Sequence, residues 1–131
     1  MTTGLLDTSV VIDWDDPAVQ RALPASVSIS AITFAELAAG PILASAITER
    51  SARQARLQQV EATLEPIPFD AAAARSFALV VASVAASGRR HRSRMADLLI
   101  AATAHAHGLT LYTRNPDDFM GLERLVDIVA V

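Results

Sequence analysis

Short apolar stretches recur along this chain, and each gives way to a segment with helical spacing. Residues 3–6, 27–30, 66–69, 109–112 and 126–129 read as strands of a few residues each. They are mostly apolar along their length rather than alternating, the pattern of strands covered on both faces. Between them lie helical segments at 8–14, 16–23, 33–48, 49–64, 70–87 and 93–107, with a short one beginning at Asn115-Pro116. Asp16-Pro17 opens one helix and Pro24 ends it. Gly40-Pro41 is expected to bend or break another. Asp70 and Ser93 are N-caps, and Gly88 and Gly108 are stops. Alternating strands and helices predict an α/β fold with a central, mainly parallel sheet flanked by helices. Consecutive helices in the middle depart from a regular βαβ repeat. With no internal repeat and no linker, residues 1–131 form a single domain.

Composition narrows the function. The chain is 52% hydrophobic and 19% charged, enough to bury a core. No run of eighteen apolar residues suggests a membrane span, and the opening Met1-Thr2-Thr3-Gly4 lacks the basic region of a signal peptide. The absence of cysteine excludes disulfides and thiolate metal sites and suits a cytoplasmic protein. At a net charge of −3, any nucleic-acid binding must come from a local patch. All eleven basic residues are Arg. Without Lys there is no P-loop and no Schiff-base chemistry. Response-regulator receivers, which keep an essential Lys, are disfavoured for the same reason.

The acids then fall in a pattern. Asp7 follows the first strand, Glu36 lies in the first turn of the helix after the second, and Asp97 in the first turn of the helix after a basic loop. Asp117 and Asp118 open the short helix after residues 109–112. In an open α/β sheet, ligands bind at the carboxyl ends of the strands, where helix N-termini favour carboxylates. Each acid also has a structural explanation. Thr33-Phe-Ala-Glu36 fits a capping box, Asp7 and Asp97 complement helix starts, and Asn115-Pro116-Asp117-Asp118 is a favoured helix opening. Yet Asp7 and Asp97 sit inside long apolar runs, where a carboxylate costs several kcal/mol unless compensated. Several carboxylates together call for a hard divalent cation such as Mg²⁺ or Mn²⁺.

Four segments, "LLDTSVVID", "ITFAELAAG", "RMADLLIAATAHAHGL" and "LYTRNPDDF", occur in the order and approximate spacing found in PIN domains. Over residues 4–119 the chain closely resembles the VapC toxins of bacterial type II toxin–antitoxin pairs. The resemblance implies a PIN-like fold and an endoribonuclease that uses Mg²⁺, with Mn²⁺ as a substitute. It also implies a cognate VapB-type antitoxin and a homodimer. The family's metal acids carry over to Asp7, Glu36 and Asp97, and the fourth to Asp118, which precedes Phe119. Asn115 stands where many relatives outside this toxin group carry an acid, so Asn115, Asp117 and Asp118 are alternatives for the last position.

Around these acids, Thr8, Ser9 and Thr113 are expected to orient carboxylates or metal-bound water. "GRRHRSR" places Arg89, Arg90, Arg92 and Arg94 just before Asp97, either as a solvated loop or as a patch for RNA phosphates. His105 and His107 point about 200° apart on a helix and cannot share a metal. Trp14 and Phe34 read as packing residues. Two other classes are weighed. A phosphatase with Asp7 as nucleophile would want an acid two residues on, where Ser9 stands. A non-catalytic PIN-type RNA- or protein-binding domain would have lost acids, and here the set is intact.

Overall fold

The computed structural model describes residues 3–88 and 94–131. Strand β1 (Thr3–Leu6) leads into helices α1 (Thr8–Ile12) and α2 (Pro17–Ala22), then β2 (Ser26–Ile29). Four helices follow: α3 (Ala31–Leu43), α4 (Ile47–Thr63), α5 (Ala71–Ala86) and α6 (Met95–His107). Strand β3 (Thr110–Thr113), a 3₁₀ turn (Pro116–Phe119) and β4 (Ile128–Ala130) complete the order. The sheet runs β2-β1-β3-β4 with every pair parallel. This is the expected α/β architecture. Because all strands run the same way, the helical segments leaving β1, β2 and β3 all start from the same edge.

Period-two geometry explains the two-sided core. Leu5 and Leu6 are adjacent and fully buried, and they enter different clusters. Leu5 packs with Val80, Val84, Leu98, Ile100, Leu111 and Phe119 beneath α5 and α6. Leu6 packs with Val10, Val19, Ile29, Leu37 and Val60 beneath α1 to α4. Trp14 and Phe34 lie against this second cluster, as expected of packing residues. Gly4 makes room for the Tyr112 ring and Pro24: a Cβ there would stand 2.6 Å from Cε1 of Tyr112 and 2.9 Å from Cγ of Pro24.

Three expectations about elements are corrected. Helix α3 starts two residues earlier than its pattern suggested, because the hydroxyl of Ser30 accepts from the amide of Thr33 at 3.1 Å and caps it. Pro41 does not end this helix, which continues to Leu43. Residues 66–69 do not form a strand; they make a single bridge, Ile67 with Ser30. The expected Ser93 cap lies outside the described residues. Among the described residues, no helix is long and apolar enough to cross a membrane.

Candidate functional site

Asp7 is the best-held acid. It follows β1 directly, its amide donates to the carbonyl of Tyr112 at 3.0 Å, and it N-caps α1. Its side chain is 4% exposed, so its charge needs donors. Oδ1 accepts from the hydroxyl of Ser9 at 2.6 Å and from the amide of Val10 at 3.2 Å. Oδ2 accepts from the hydroxyl of Thr113 at 2.5 Å. Each hydroxyl accepts in turn from the backbone of the loop after β3, Ser9 from Arg114 at 3.0 Å and Thr113 from Asn115 at 2.9 Å. One chain of bonds thus ties α1 to the end of β3.

Glu36 stands apart from the capping box that its sequence suggests. With the cap at Ser30, Glu36 lies in the second turn of α3, and the Thr33 amide it would have met is already taken by the Ser30 hydroxyl. Its exposed carboxylate instead accepts from the hydroxyl of Thr8 at 2.6 Å, and Thr8 also lies 3.3 Å from the hydroxyl of Thr33. Glu36 is therefore held toward the end of β1.

Asp97 occupies the first turn of α6 and is half-buried. Burial pushes its carboxyl from 3.8 up to about 6, and repulsion from Asp118, Asp7 and Glu36 pushes the same way. The Arg94 guanidinium pulls it back. Asp7, Glu36 and Asp118 thus all lie within electrostatic reach of Asp97 at one edge of the sheet. Asp117 is exposed and is not among the charges acting on Asp97, whereas Asp118 is half-buried and is. Asn115 contributes backbone here: its carbonyl accepts from the amide of Asp118 at 3.0 Å, which closes the 3₁₀ turn.

Arg94 donates to the carbonyls of Asp118 at 2.6 Å and Asp117 at 3.2 Å, so it grips the 3₁₀ turn. Arg89, Arg90 and Arg92 lie outside the described residues. His105 pairs through Nδ1 with the hydroxyl of Ser76 at 2.8 Å, away from the acids, and His107 is exposed. One contact near the acids has no signal in the sequence. The Arg114 guanidinium meets Asp13 at 3.2 Å and Asp16 at 3.7 Å, across about a hundred residues that only the β1–β3 pairing brings together. Among the described residues, no three acid or histidine side chains close into a ready-made metal cage.

Comparison with known proteins places this arrangement. The PIN domain model matches residues 4–124. Ribonuclease VapC5 of Mycobacterium tuberculosis is 38% identical over 122 residues, covering 92% of this chain and 87% of that protein. Ribonuclease VapC8 of the same species is 39% identical over 101 residues, covering 77% and 89%. The crystal structure of VapBC-5, a member of the VapBC family of toxin–antitoxin systems from Mycobacterium tuberculosis, superposes over 100% of both chains, with a TM-score of 0.86 and 38% identity. With its motifs, parallel sheet and acid edge in agreement, the chain belongs to the PIN-domain family, within its VapC group.

Proposed function

We propose that this protein is a metal-dependent endoribonuclease and the toxin half of a type II toxin–antitoxin pair. The observation that carries this is the half-buried Asp97 carboxylate, which feels the charges of Asp118, Asp7 and Glu36 at the ligand-binding edge of the sheet. Like charges kept together in a fold call for a cation. The donor set is oxygen only, which fits Mg²⁺ or Mn²⁺ rather than a softer metal. An open set also suits Mg²⁺, which keeps several waters and takes one or two carboxylates plus substrate phosphate. Asp7 and Asp97 would hold it, with Glu36 and Asp118 beside them.

Once bound, such an ion lowers the pKa of an attacking water and offsets charge on the scissile phosphate. The chain's own residues do the positioning. Ser9 and Thr113 hold the Asp7 carboxylate with lone pairs to spare, and Thr8 aims Glu36. Arg94 fixes the turn that carries Asp118. Attack by water rather than by the ribose 2′-hydroxyl leaves 5′-phosphate and 3′-hydroxyl ends. The basic segment that carries Arg89, Arg90 and Arg92 would draw RNA toward these acids.

A nuclease of this kind needs a partner to silence it, which suits a VapB-type antitoxin. A groove of about 480 Å³ beside Glu36 offers a surface for that partner, lined by Ile12, Glu36, Leu37, Leu43 and Arg53. Ile42 and Ile47 nearby in sequence are each 80% exposed. This apolar surface at the α3–α4 junction would serve antitoxin binding or a homodimer. The deciding experiment is cleavage of total RNA by wild type and Asp97→Asn at matched Mg²⁺, with sequencing of 5′-phosphate ends. Discrete wild-type sites that vanish in the variant are expected, and identical profiles would overturn the assignment.

A further inference from the structure

We infer that Arg114 is a positioning residue for Asp7, acting through Ser9 by holding α1 at both ends; its bearing on metal uptake rests on the function proposed above. Helix α1 has 5 residues, too few to hold itself in place, so its orientation depends on what grips its ends. At its start is Asp7. At its end is Asp13, the C-cap, whose amide donates to the carbonyl of Ser9 at 3.3 Å. The Arg114 guanidinium meets Asp13 through Nε at 3.2 Å and Asp16 through Nη2 at 3.7 Å. Asp16 is itself the N-cap of α2, accepting from Ala18 at 2.9 Å. A single side chain therefore spans the end of α1 and the start of α2.

The backbone of the same residue reaches the first turn of α1. The amide of Arg114 donates to Ser9 Oγ at 3.0 Å, and Ser9 donates its only hydroxyl proton to Asp7 Oδ1 at 2.6 Å. The incoming N–H occupies a lone pair of Ser9 and keeps the hydroxyl turned to the carboxylate. Without it, the hydroxyl is free to turn to a carbonyl of its own helix. Loss of the guanidinium lets the turn at residues 13–16 drift from the end of β3, and the N–H link to Ser9 drifts with it. The Arg114 side chain is 30% exposed and the two carboxylates more so, and ion pairs of that kind contribute little to global stability. The role is one of aim rather than strength.

The test uses the full chain and two readouts. The Val10 amide donates to Asp7 Oδ1, so its hydrogen exchange, followed by NMR without metal, reports how well that carboxylate is held. Mn²⁺ affinity by calorimetry reports the site. Arg114→Ala is expected to speed Val10 exchange about tenfold and to weaken Mn²⁺ binding about tenfold, with little change in Tm. Ser9→Ala should do the same, and the double variant should lose no more than either single one, because both act along one path. If Arg114→Ala does not fold, Asp13→Asn with Asp16→Asn breaks the same ion pairs from the other side and should give both shifts. Wild-type exchange and affinity in Arg114→Ala, or additive losses in the double variant, would overturn the inference. A wild-type chain that takes up no Mn²⁺ sinks the metal-dependent function instead, and Val10 exchange then decides the link to Asp7 by itself.

Discussion

The hydroxyl of Thr113 donates to the buried carboxylate of Asp7 at 2.5 Å, joining the ends of two neighbouring parallel strands. Thr113→Val preserves the shape and deletes the bond, leaving a buried carboxylate oxygen without a donor. A loss of about 1–3 kcal/mol in unfolding free energy is expected, read from urea denaturation. Metal affinity should fall with it. A variant as stable as wild type would mean that this hydroxyl is dispensable to the fold.

Asp7 both caps α1 and faces the other acids, so Asp7→Ala mixes two effects. Loss of the cap costs about 0.5–2 kcal/mol. Asp7→Asn keeps an oxygen acceptor for the Val10 amide and removes the charge. It should abolish RNA cleavage while far-ultraviolet circular dichroism stays native, and Asp97→Ala should be equally inactive. Wild-type rates in either variant would remove that acid from the site.

With its carboxyl raised to about 6, Asp97 binds a proton in the folded chain more readily than in the unfolded one. Between about pH 4 and 6 the folded state therefore holds the extra proton, and Asp97's share of stability falls as pH rises through that window. Removing the charge removes the penalty, so metal-free Asp97→Asn should melt above wild type at pH 7. Mn²⁺ must displace the same proton, so affinity should climb between pH 5 and 7 and then level off. An affinity independent of pH across that range would exclude Asp97 as a ligand.

Of the paired acids, Asp118 is half-buried and acts on Asp97, while Asp117 faces solvent. Asp118→Asn is expected to weaken Mn²⁺ binding and cleavage more than Asp117→Asn. Side-by-side titrations decide the order, and a larger loss at Asp117 would shift the site by one residue.

The arginine-rich segment is tested through salt. Neutralising Arg89, Arg90 and Arg92 should flatten the slope of log affinity against log salt for RNA by roughly 0.7 to 0.9 per lost phosphate contact. Cleavage of bound RNA should change little, and an unchanged slope would remove these arginines from RNA binding.

Much of the fold was legible because local rules and tertiary structure agree. Asp70 caps α5, and Gly108 ends α6 at φ 63°, as the residues suggest. Where they disagree, a competing contact decided. Ser30 was the better cap than Thr33, because β2 delivers it at the start of α3. Glu36 was then left free to meet Thr8, a partner 28 residues away that no local pattern names. Arg94 belongs to the same class: as part of a basic run it reads as a phosphate binder, and the folded chain turns it onto two backbone carbonyls. The acid positions were legible because burial and strand ends leave marks along the chain. Their supporting contacts were not, since these arise from strand pairing across about a hundred residues.

Gly4 has a consequence for how such a chain can change over time. The Tyr112 ring and the edge of Pro24 already occupy the space that any side chain at position 4 would need. A lone substitution there forces the Tyr112 ring and the edge of Pro24 to give way. A replacement at position 4 is therefore best accommodated by a smaller residue at 112 and room at 24. These three positions should vary in concert, and swapping them between relatives one at a time should yield proteins that fold less well than either parent.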